Sequence, residues 1–185
     1  PWERYPQYEA ITYFARGLGA ARSGDLDAAR ETVDTLDDLY ERTVEAGEDY
    51  WAVQVDVKRT TISAWIAFGE GRHDEAVDRM REAADLEDSV DKHPVTPGAV
   101  RPARELLGDM LLRLERPVDA IEAYQAALEI SPNRFKSLYG IGRAAEMAGQ
   151  HERARKAYAE IADLTTAADT EREEIARAKA FLDGD

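Results

Sequence analysis

Small and apolar residues recur at fixed offsets along the chain, and their spacing predicts helical hairpins. Four six-residue segments align with an alanine at their last position. Nine and twelve residues before each alanine, and four residues after it, the aligned positions are again small, apolar or aromatic. Small side chains at such offsets let two antiparallel helices approach closely, and larger ones fill the space beside them. The segments are GDLDAA, GRHDEA, ERPVDA and GQHERA, which end at Ala29, Ala76, Ala120 and Ala154.

Glycine and proline between the apolar stretches set the ends of the predicted helices. Gly24 and Gly47 stand where helix-terminating glycines are common, and Pro117 suits the first turn of a helix. The pattern predicts eight helices, over residues 7–23, 25–46, 49–69, 72–87, 100–115, 117–130, 134–148 and 151–164.

The last stretch of the chain predicts one more helix, over residues 170–183. Thr170 and Glu173 form a T-x-x-E capping box, in which each side chain bonds a free backbone N–H at the helix start. Ile175, Ala178 and Phe181 follow at helical spacing. We expect this helix to cover the open apolar edge of the last hairpin, because an array of repeats needs such a cap.

The third and fourth copies carry residues typical of a known repeat. The third copy reads RELLGDMLLRLERPVDAIEAYQAALEISPNR, and the fourth follows 34 residues later, from Ala120 to Ala154. With Gly108 and Tyr124 at their expected places, this pattern resembles the tetratricopeptide repeat (TPR) of bacterial TPR proteins. The resemblance covers most of residues 10–168. It implies an all-α fold, a right-handed α-α superhelix of four TPR-like helical hairpins plus a C-terminal capping helix.

The repeats are predicted to form one continuous array. We expect a single TPR domain over residues 1–185. Its parts are repeat 1 (10–46, with an extended helix B), repeat 2 (48–90, with an extended helix A), a connector (91–99), repeat 3 (101–134), repeat 4 (135–168) and the capping helix (170–183).

The spacing of the repeats is uneven. Ala29 and Ala76 are 47 residues apart, which exceeds the 34-residue period by 13. This surplus reads as helix on both sides of Gly47, so two helices should each gain about 10 Å at about 1.5 Å per residue and protrude as a long hairpin. The residues expected to pack this projection are Tyr40, Val44, Tyr50, Trp51 and Val55.

A second surplus contains the segment DKHPVTPG, from Asp91 to Gly98. Ala76 and Ala120 are 44 residues apart, 10 more than the period. The two prolines of the segment are incompatible with a continuous helix, so it is predicted to be a stiff connector. The sequence leaves open whether the connector also rims the binding groove.

Composition narrows the class of partner. The chain has 38 acidic and 24 basic residues and a net charge of −14, which disfavours nucleic acid and anionic membrane surfaces as partners. No apolar run approaches the roughly 20 residues that a membrane-spanning helix needs, so no membrane insertion is expected. The absence of cysteine excludes disulfides and thiolate catalysis. The chain starts at Pro1 without a visible targeting signal, so we expect a fragment or processed form, whose compartment stays open.

Catalytic chemistry has no recognisable motif in the chain. None of the nucleophile-elbow, zinc-protease, Walker or dinucleotide fingerprints occurs. His73 and His151 occupy equivalent repeat positions, which favours packing at the start of helix B. We therefore predict no enzymatic activity and no cofactor.

One cluster of acidic residues with a histidine could hold a divalent ion through oxygen and imidazole ligands. Its spacing fits no EF-hand loop, and a solvated acidic helix end is the preferred interpretation. No metal site is predicted. The cluster consists of Asp85, Glu87, Asp88, Asp91 and His93.

The TPR resemblance implies where a ligand would bind. In TPR proteins, residues two, five, six, nine, twelve and thirteen of helix A commonly face a concave groove. The mixed charges and two aromatic rings at these positions suit an extended peptide, with Trp65 or Tyr139 as the anchor for an apolar side chain. The predicted groove residues are Lys58, Thr61, Trp65, Glu105, Asp109, Arg113, Lys136, Tyr139 and Arg143.

The groove has an alternative interpretation, in which its charges satisfy one another and take no ligand. The pairs expected in that case are Asp109 with Arg143 and Glu105 with Lys136. The carboxylate clamp of chaperone-binding TPR domains is also absent, because the matching positions hold Phe14 and Leu18.

The predicted function is that of a noncatalytic protein–protein interaction scaffold, which binds a peptide or protein segment in the concave groove. The alternative is an assembly element that mediates homo-oligomerisation or docks to the rest of a larger parent protein. The extended hairpin or the N-terminal aromatic residues Trp2, Tyr5 and Tyr8 would supply its contact surface, because exposed aromatic clusters are costly. The sequence does not identify the partner.

Overall fold

The computed structural model describes residues 4–91, 99–170 and 172–184, and these stretches contain nine α-helices and no strand. The predicted all-α class of helical hairpins is confirmed. Three helices have the predicted bounds, and the ends of the others differ by one to three residues. The helices are α1 (Pro6–Ser23), α2 (Leu26–Glu45), α3 (Asp49–Gly69), α4 (His73–Asp88), α5 (Ala103–Arg113), α6 (Pro117–Ile130), α7 (Phe135–Met147), α8 (His151–Leu164) and α9 (Glu173–Asp183).

The chain divides into two compact units, Pro1–Ala103 and Arg104–Asp185. Unit 1 contains the hairpins α1–α2 and α3–α4. Unit 2 contains α6 to α9 and all of α5 except its first residue.

The core of unit 1 forms where α3 packs against α1, α2 and α4. Leu36, Ile62 and Met80, from three different helices, are fully buried there. Gly17 of α1 lies so close to α3 that a Cβ atom would stand 2.6 Å from Cδ1 of Ile62. The repeat pattern placed a small residue at this position because the helices approach closely.

The helices α2 and α3 are long, with 20 and 21 residues, against 14 in α6 and α8. Gly47 ends the first of them with a φ of 72°. The expected packing of their extensions holds for Val55, which is fully buried, but Val44 is 47% exposed. The first turns of α1 cover the extension of α3, because the ring of Tyr8 lies 5.6 Å from that of Trp51.

Two tyrosines of unit 2 pack against glycines. A Cβ atom at Gly108 would lie 2.7 Å from the ring of Tyr124, and one at Gly140 would lie under 3.0 Å from the same ring. Tyr158 has the same relation to Gly142. The glycines therefore provide the space that each buried ring occupies.

The terminal helix α9 packs on α7 and α8, as the capping prediction requires. Its Phe181 ring lies 5.1 Å from the ring of Tyr158. The predicted capping box is wrong, however: α9 begins at Glu173, and its N-cap is Arg172 rather than Thr170. The N-cap side chain makes no capping hydrogen bond, so tertiary contacts rather than local capping place this helix.

Both repeat-equivalent histidines begin a helix B and lie beside an aromatic ring. His73 lies 5.3 Å from Phe68, and His151 stacks on Phe181 at 6.5 Å. Both side chains are nevertheless exposed, so their packing is limited to one face of the ring. Trp2 and residues 92–98 of the predicted connector, which include His93, lie outside the described residues.

Candidate functional site

A pocket in unit 1 lies between α1, the first half of α3, the end of α4 and residues 99–101. Phe14 of α1 and Trp51 of α3 form apolar walls. Lys58 and Thr61, both predicted from repeat register as groove residues, line the same pocket. The structure thus places two predicted binding residues at a concave surface.

The sequence of α3 directs one stripe of side chains towards this pocket. Tyr50, Gln54, Lys58 and Thr61 are spaced by three or four residues, which puts them on one face of the helix. All four line the pocket. The sequence shows the spacing of this stripe, but it does not show that α1 packs opposite it.

Lys58 is held at the pocket by the helix backbone. Its Nζ donates a hydrogen bond to the carbonyl oxygen of Gln54 at 2.8 Å. Burial lowers the pKa of Lys58 to about 8, and the negative charge of Glu87 opposes that shift. The ammonium form still predominates at pH 7, but it is less well solvated than a surface lysine.

Thr61 has an unusual hydroxyl group. The residue is 1% exposed, and its Oγ1 has no hydrogen-bond partner within the described stretches. By contrast, Thr32 and Thr43 of α2 each donate to the carbonyl four residues earlier, at 2.8 and 2.6 Å. A buried hydroxyl without a partner costs about 1–3 kcal/mol, so a ligand that bonds it would recover part of that cost.

Further polar residues of the pocket come from the end of α4 and from the segment after it. Glu87 accepts a hydrogen bond from the backbone N–H of Ala103 at 2.7 Å. This bond ties residues near Arg101 to α4, and both Glu87 and Arg101 line the pocket. The repeat register assigned no ligand contact to these two residues, because Glu87 lies in a helix B and Arg101 is not at one of the groove-facing positions of helix A.

Trp65, predicted as an anchor for the ligand, lies instead in the core of unit 1. It is fully buried, and the guanidinium of Arg22 lies 4.6 Å from its ring centre. The second half of α3 is covered by neighbouring helices, so a residue one turn beyond Thr61 no longer faces solvent. Its ring offers no surface to a ligand.

In unit 2, Glu105 is also buried rather than presented to a ligand. Its Oε2 accepts hydrogen bonds from Nε of Arg134 at 3.1 Å and from Oγ of Ser137 at 3.0 Å. The predicted partner, Lys136, pairs with Glu174 of α9. The expected ion pair is therefore replaced by two others, because α9 brings a second carboxylate to Lys136.

The other predicted groove residues of unit 2 lie on α5 and α7. Asp109 accepts a hydrogen bond from the hydroxyl of Tyr124 at 2.8 Å, so it supports a core side chain. Tyr139 is half-buried, Arg113 is exposed, and Nε of Arg143 is buried without a partner among the residues described.

Two sequence-family models decide the relationship of this chain to known proteins. Both are models of the tetratricopeptide repeat; one matches residues 63–135 and the other residues 136–164. Together they cover more than half of the chain without a gap. The chain belongs to the tetratricopeptide repeat family. TPR proteins are in general noncatalytic scaffolds that bind other proteins, and this TPR chain is a protein-interaction scaffold in that sense.

Solved structures share the TPR fold of the chain. One titled "Crystal structure of MamA protein" has 19% identity and a TM-score of 0.51, covering 88% of this chain and 97% of its own. A second MamA structure has 20% identity and a TM-score of 0.50, covering 80% and 92%. PilF of Pseudomonas aeruginosa has 15% identity and a TM-score of 0.45, covering 96% and 89%. At these identities the likeness of the two MamA structures extends to the fold alone. No curated protein matches the TPR chain by sequence.

Two further properties of the TPR chain concern the described residues only. Within them, no three or more histidine, aspartate or glutamate side chains are grouped so that they could hold a metal ion. No helix in these stretches is both long enough and apolar enough to cross a membrane.

The half-buried lysine of the TPR pocket should make stability depend on pH. Because the folded-state pKa of Lys58 is lowered from 10.5 to about 8, the unfolded chain binds more protons between these values. The free energy of unfolding should therefore rise with pH across this window. A shift of about 2.5 pKa units at about 1.4 kcal/mol per unit sets an upper limit of about 3.5 kcal/mol, and an effect on the order of 1 kcal/mol is expected at an open pocket.

Urea unfolding at pH 7.5 and pH 10 measures this effect as the difference between the wild type and Lys58→Met. Lys156→Met, which removes an exposed lysine of α8, serves as the control. An identical pH dependence in the wild type and Lys58→Met would contradict the assignment.

Proposed function

We propose that this TPR chain captures an extended peptide segment of a partner protein along α1 and α3. One partner side chain would enter the pocket. The observation that supports this proposal is the buried hydroxyl of Thr61, which has no hydrogen-bond partner among the residues described and stands at a helix A position that the repeat register predicted as ligand-facing.

The pocket is suited to binding because its walls are held by other contacts. Trp51 packs against Tyr8 and Tyr50 at centroid distances of 5.6 and 5.0 Å. Lys58 is fixed by its bond to Gln54. A ligand would therefore have few side chains to order when it binds. Each side chain that is already fixed saves about 0.5–1.5 kcal/mol of binding free energy.

Unit 2 contributes a second proposed contact surface on α7. Lys136, Tyr139 and Arg143 are spaced by three and four residues, so they lie on one face of that helix. Tyr139 would present a half-buried ring, and Arg143 a buried Nε without a partner among the described residues. We propose that this face binds a backbone carbonyl and an apolar side chain of a peptide.

Selection from a random 12-residue peptide library on purified chain tests the peptide function. Selected peptides should bind Phe14→Ala at least tenfold more weakly than the wild type, because Phe14 is a half-buried wall of the pocket. A tenfold loss corresponds to about 1.4 kcal/mol. Calorimetric titration of the synthesised peptides gives the affinities.

Tyr13→Ala is the matched control, since it removes the adjacent half-buried aromatic residue of α1, which does not line the pocket. Its affinity should stay within twofold of the wild type. Failure to select any peptide, or equal binding by Phe14→Ala, would refute peptide capture at this pocket.

The assembly alternative has its own supporting observation. Tyr5, Tyr8 and Ile11 are 46%, 41% and 42% exposed, and they follow one another at three-residue spacing from the N-cap of α1 into its second turn. Light scattering separates the alternatives. A molecular mass that rises with concentration, in a chain that selects no peptide, would favour assembly.

A further inference from the structure

We propose that the unit 1 pocket recognises an acidic residue within the partner segment. Its carboxylate would accept hydrogen bonds from Nζ of Lys58 and Oγ1 of Thr61, while a neighbouring apolar side chain packs on Phe14 and Trp51. This inference rests on the proposed function, because it names the side chain that the pocket receives.

The local charge of the pocket differs from that of the chain. Among its described lining residues, Lys58 and Arg101 are cationic and Glu87 alone is acidic. The chain as a whole carries a net charge of −14. Glu87 is also engaged by the backbone N–H of Ala103. An anionic ligand is therefore attracted to this pocket and repelled by most of the remaining surface.

The hydrogen-bonding groups match one carboxylate. An ammonium group has three donors, and the carbonyl of Gln54 accepts from Lys58 at 2.8 Å. Thr61 lies three residues further along the same face of α3, with a hydroxyl that has no partner in the described part of the chain. A carboxylate has two acceptor oxygens, so it can accept from both side chains at once.

Other side chains fit less well. A cationic side chain would stand beside Lys58 and be repelled. A purely apolar side chain would remove water from the Lys58 ammonium without replacing it, which leaves a desolvated charge. An acidic side chain replaces that water with a charge-assisted hydrogen bond, which is about twice as strong as a neutral one.

Two small probes of nearly equal shape test the inference directly. These are 3-phenylpropionate, which carries a carboxylate beside an apolar ring, and its neutral amide, 3-phenylpropionamide. Titration followed by amide and indole NMR shifts at pH 7 should give about tenfold tighter binding for the carboxylate. Inorganic phosphate, which has charge but no apolar group, should bind at least tenfold more weakly than 3-phenylpropionate.

The variants locate the preference. In Lys58→Met, which keeps the length of the aliphatic side chain, the carboxylate preference should fall to twofold or less. Thr61→Val should weaken carboxylate binding about threefold, and Lys156→Met should leave it unchanged. Circular dichroism confirms that each variant folds. The preference should also decline as the pH rises above that at which Lys58 loses its proton.

Three results would overturn the inference: equal affinity for 3-phenylpropionate and 3-phenylpropionamide, a carboxylate preference that persists in Lys58→Met, or no detectable binding of both compounds. Failure of the proposed function gives a different result. Library peptides that depend on Phe14 but carry no acidic residue would refute the acidic preference and leave peptide capture standing. A Lys58-dependent carboxylate preference in a chain that selects no peptide would support the acid-binding pocket and refute peptide capture.

Discussion

Trp65→Ala is expected to lower the free energy of unfolding by about 3–5 kcal/mol, the range found for removing a large aromatic side chain from a core. Trp65 is fully buried in unit 1, and the guanidinium of Arg22 lies over its ring at 4.6 Å. Removing the indole leaves a cavity and also removes the cation–π contact. Chemical unfolding followed by far-ultraviolet circular dichroism measures the loss.

Two measurements on Trp65→Phe separate the loss of core packing from an effect on binding. Trp65→Phe keeps most of the ring volume and should cost markedly less than alanine, because the cavity is smaller. Probe binding by Trp65→Phe should equal that of the wild type, since Trp65 does not line the pocket. A cost below about 1 kcal/mol for Trp65→Ala would mean that the ring is not a core element. Loss of ligand capture by Trp65→Ala alone would not distinguish a binding defect from unfolding.

Gly140→Ala is expected to destabilise unit 2 by about 1–3 kcal/mol, the usual cost of overpacking a core. A Cβ atom at Gly140 would lie under 3.0 Å from the ring of Tyr124. The ring cannot retreat, because Gly108 borders it as well and its hydroxyl is bonded to Asp109 at 2.8 Å. Thermal and urea unfolding report the change.

A glycine-to-alanine substitution at an exposed helical position should instead raise the free energy of unfolding. Gly19 is an exposed helical glycine with nothing within 4 Å of the position of an added Cβ. Gly19→Ala should therefore stabilise the chain by about 0.5–1 kcal/mol, through helix propensity alone. Combining Gly140→Ala with Tyr124→Leu should recover part of the lost stability. Stabilisation by Gly140→Ala would show that Tyr124 has room to move.

The role of α9 follows from the same tyrosine packing. Tyr124 lies against Gly108 and also against Gly140 of α7. Tyr158, one repeat later, lies against Gly142, and the ring of Phe181 lies 5.1 Å from it. The terminal helix thus supplies the packing partner that a further repeat would otherwise provide.

The groove residues show how far repeat register predicts a binding site. Register identified Lys58 and Thr61, which line a pocket, because position along a helix fixes which side of it a residue occupies. It also selected Trp65 and Glu105, which the structure buries. The register describes one helix at a time, so it cannot determine whether a neighbouring helix covers the same face further along.

The sequence by itself determined the helices, their order and the family. Helix periodicity and the glycines at Gly24 and Gly47 are local properties, so α1 to α4 and α6 to α8 lie within one residue of their predicted bounds. Only the tertiary structure decided which side chains meet a ligand and which meet the core. It placed Phe14 and Glu87 around Lys58, and it paired Lys136 with a carboxylate from α9. Such contacts join residues far apart in the chain, and their partners depend on how helices pack rather than on any local pattern.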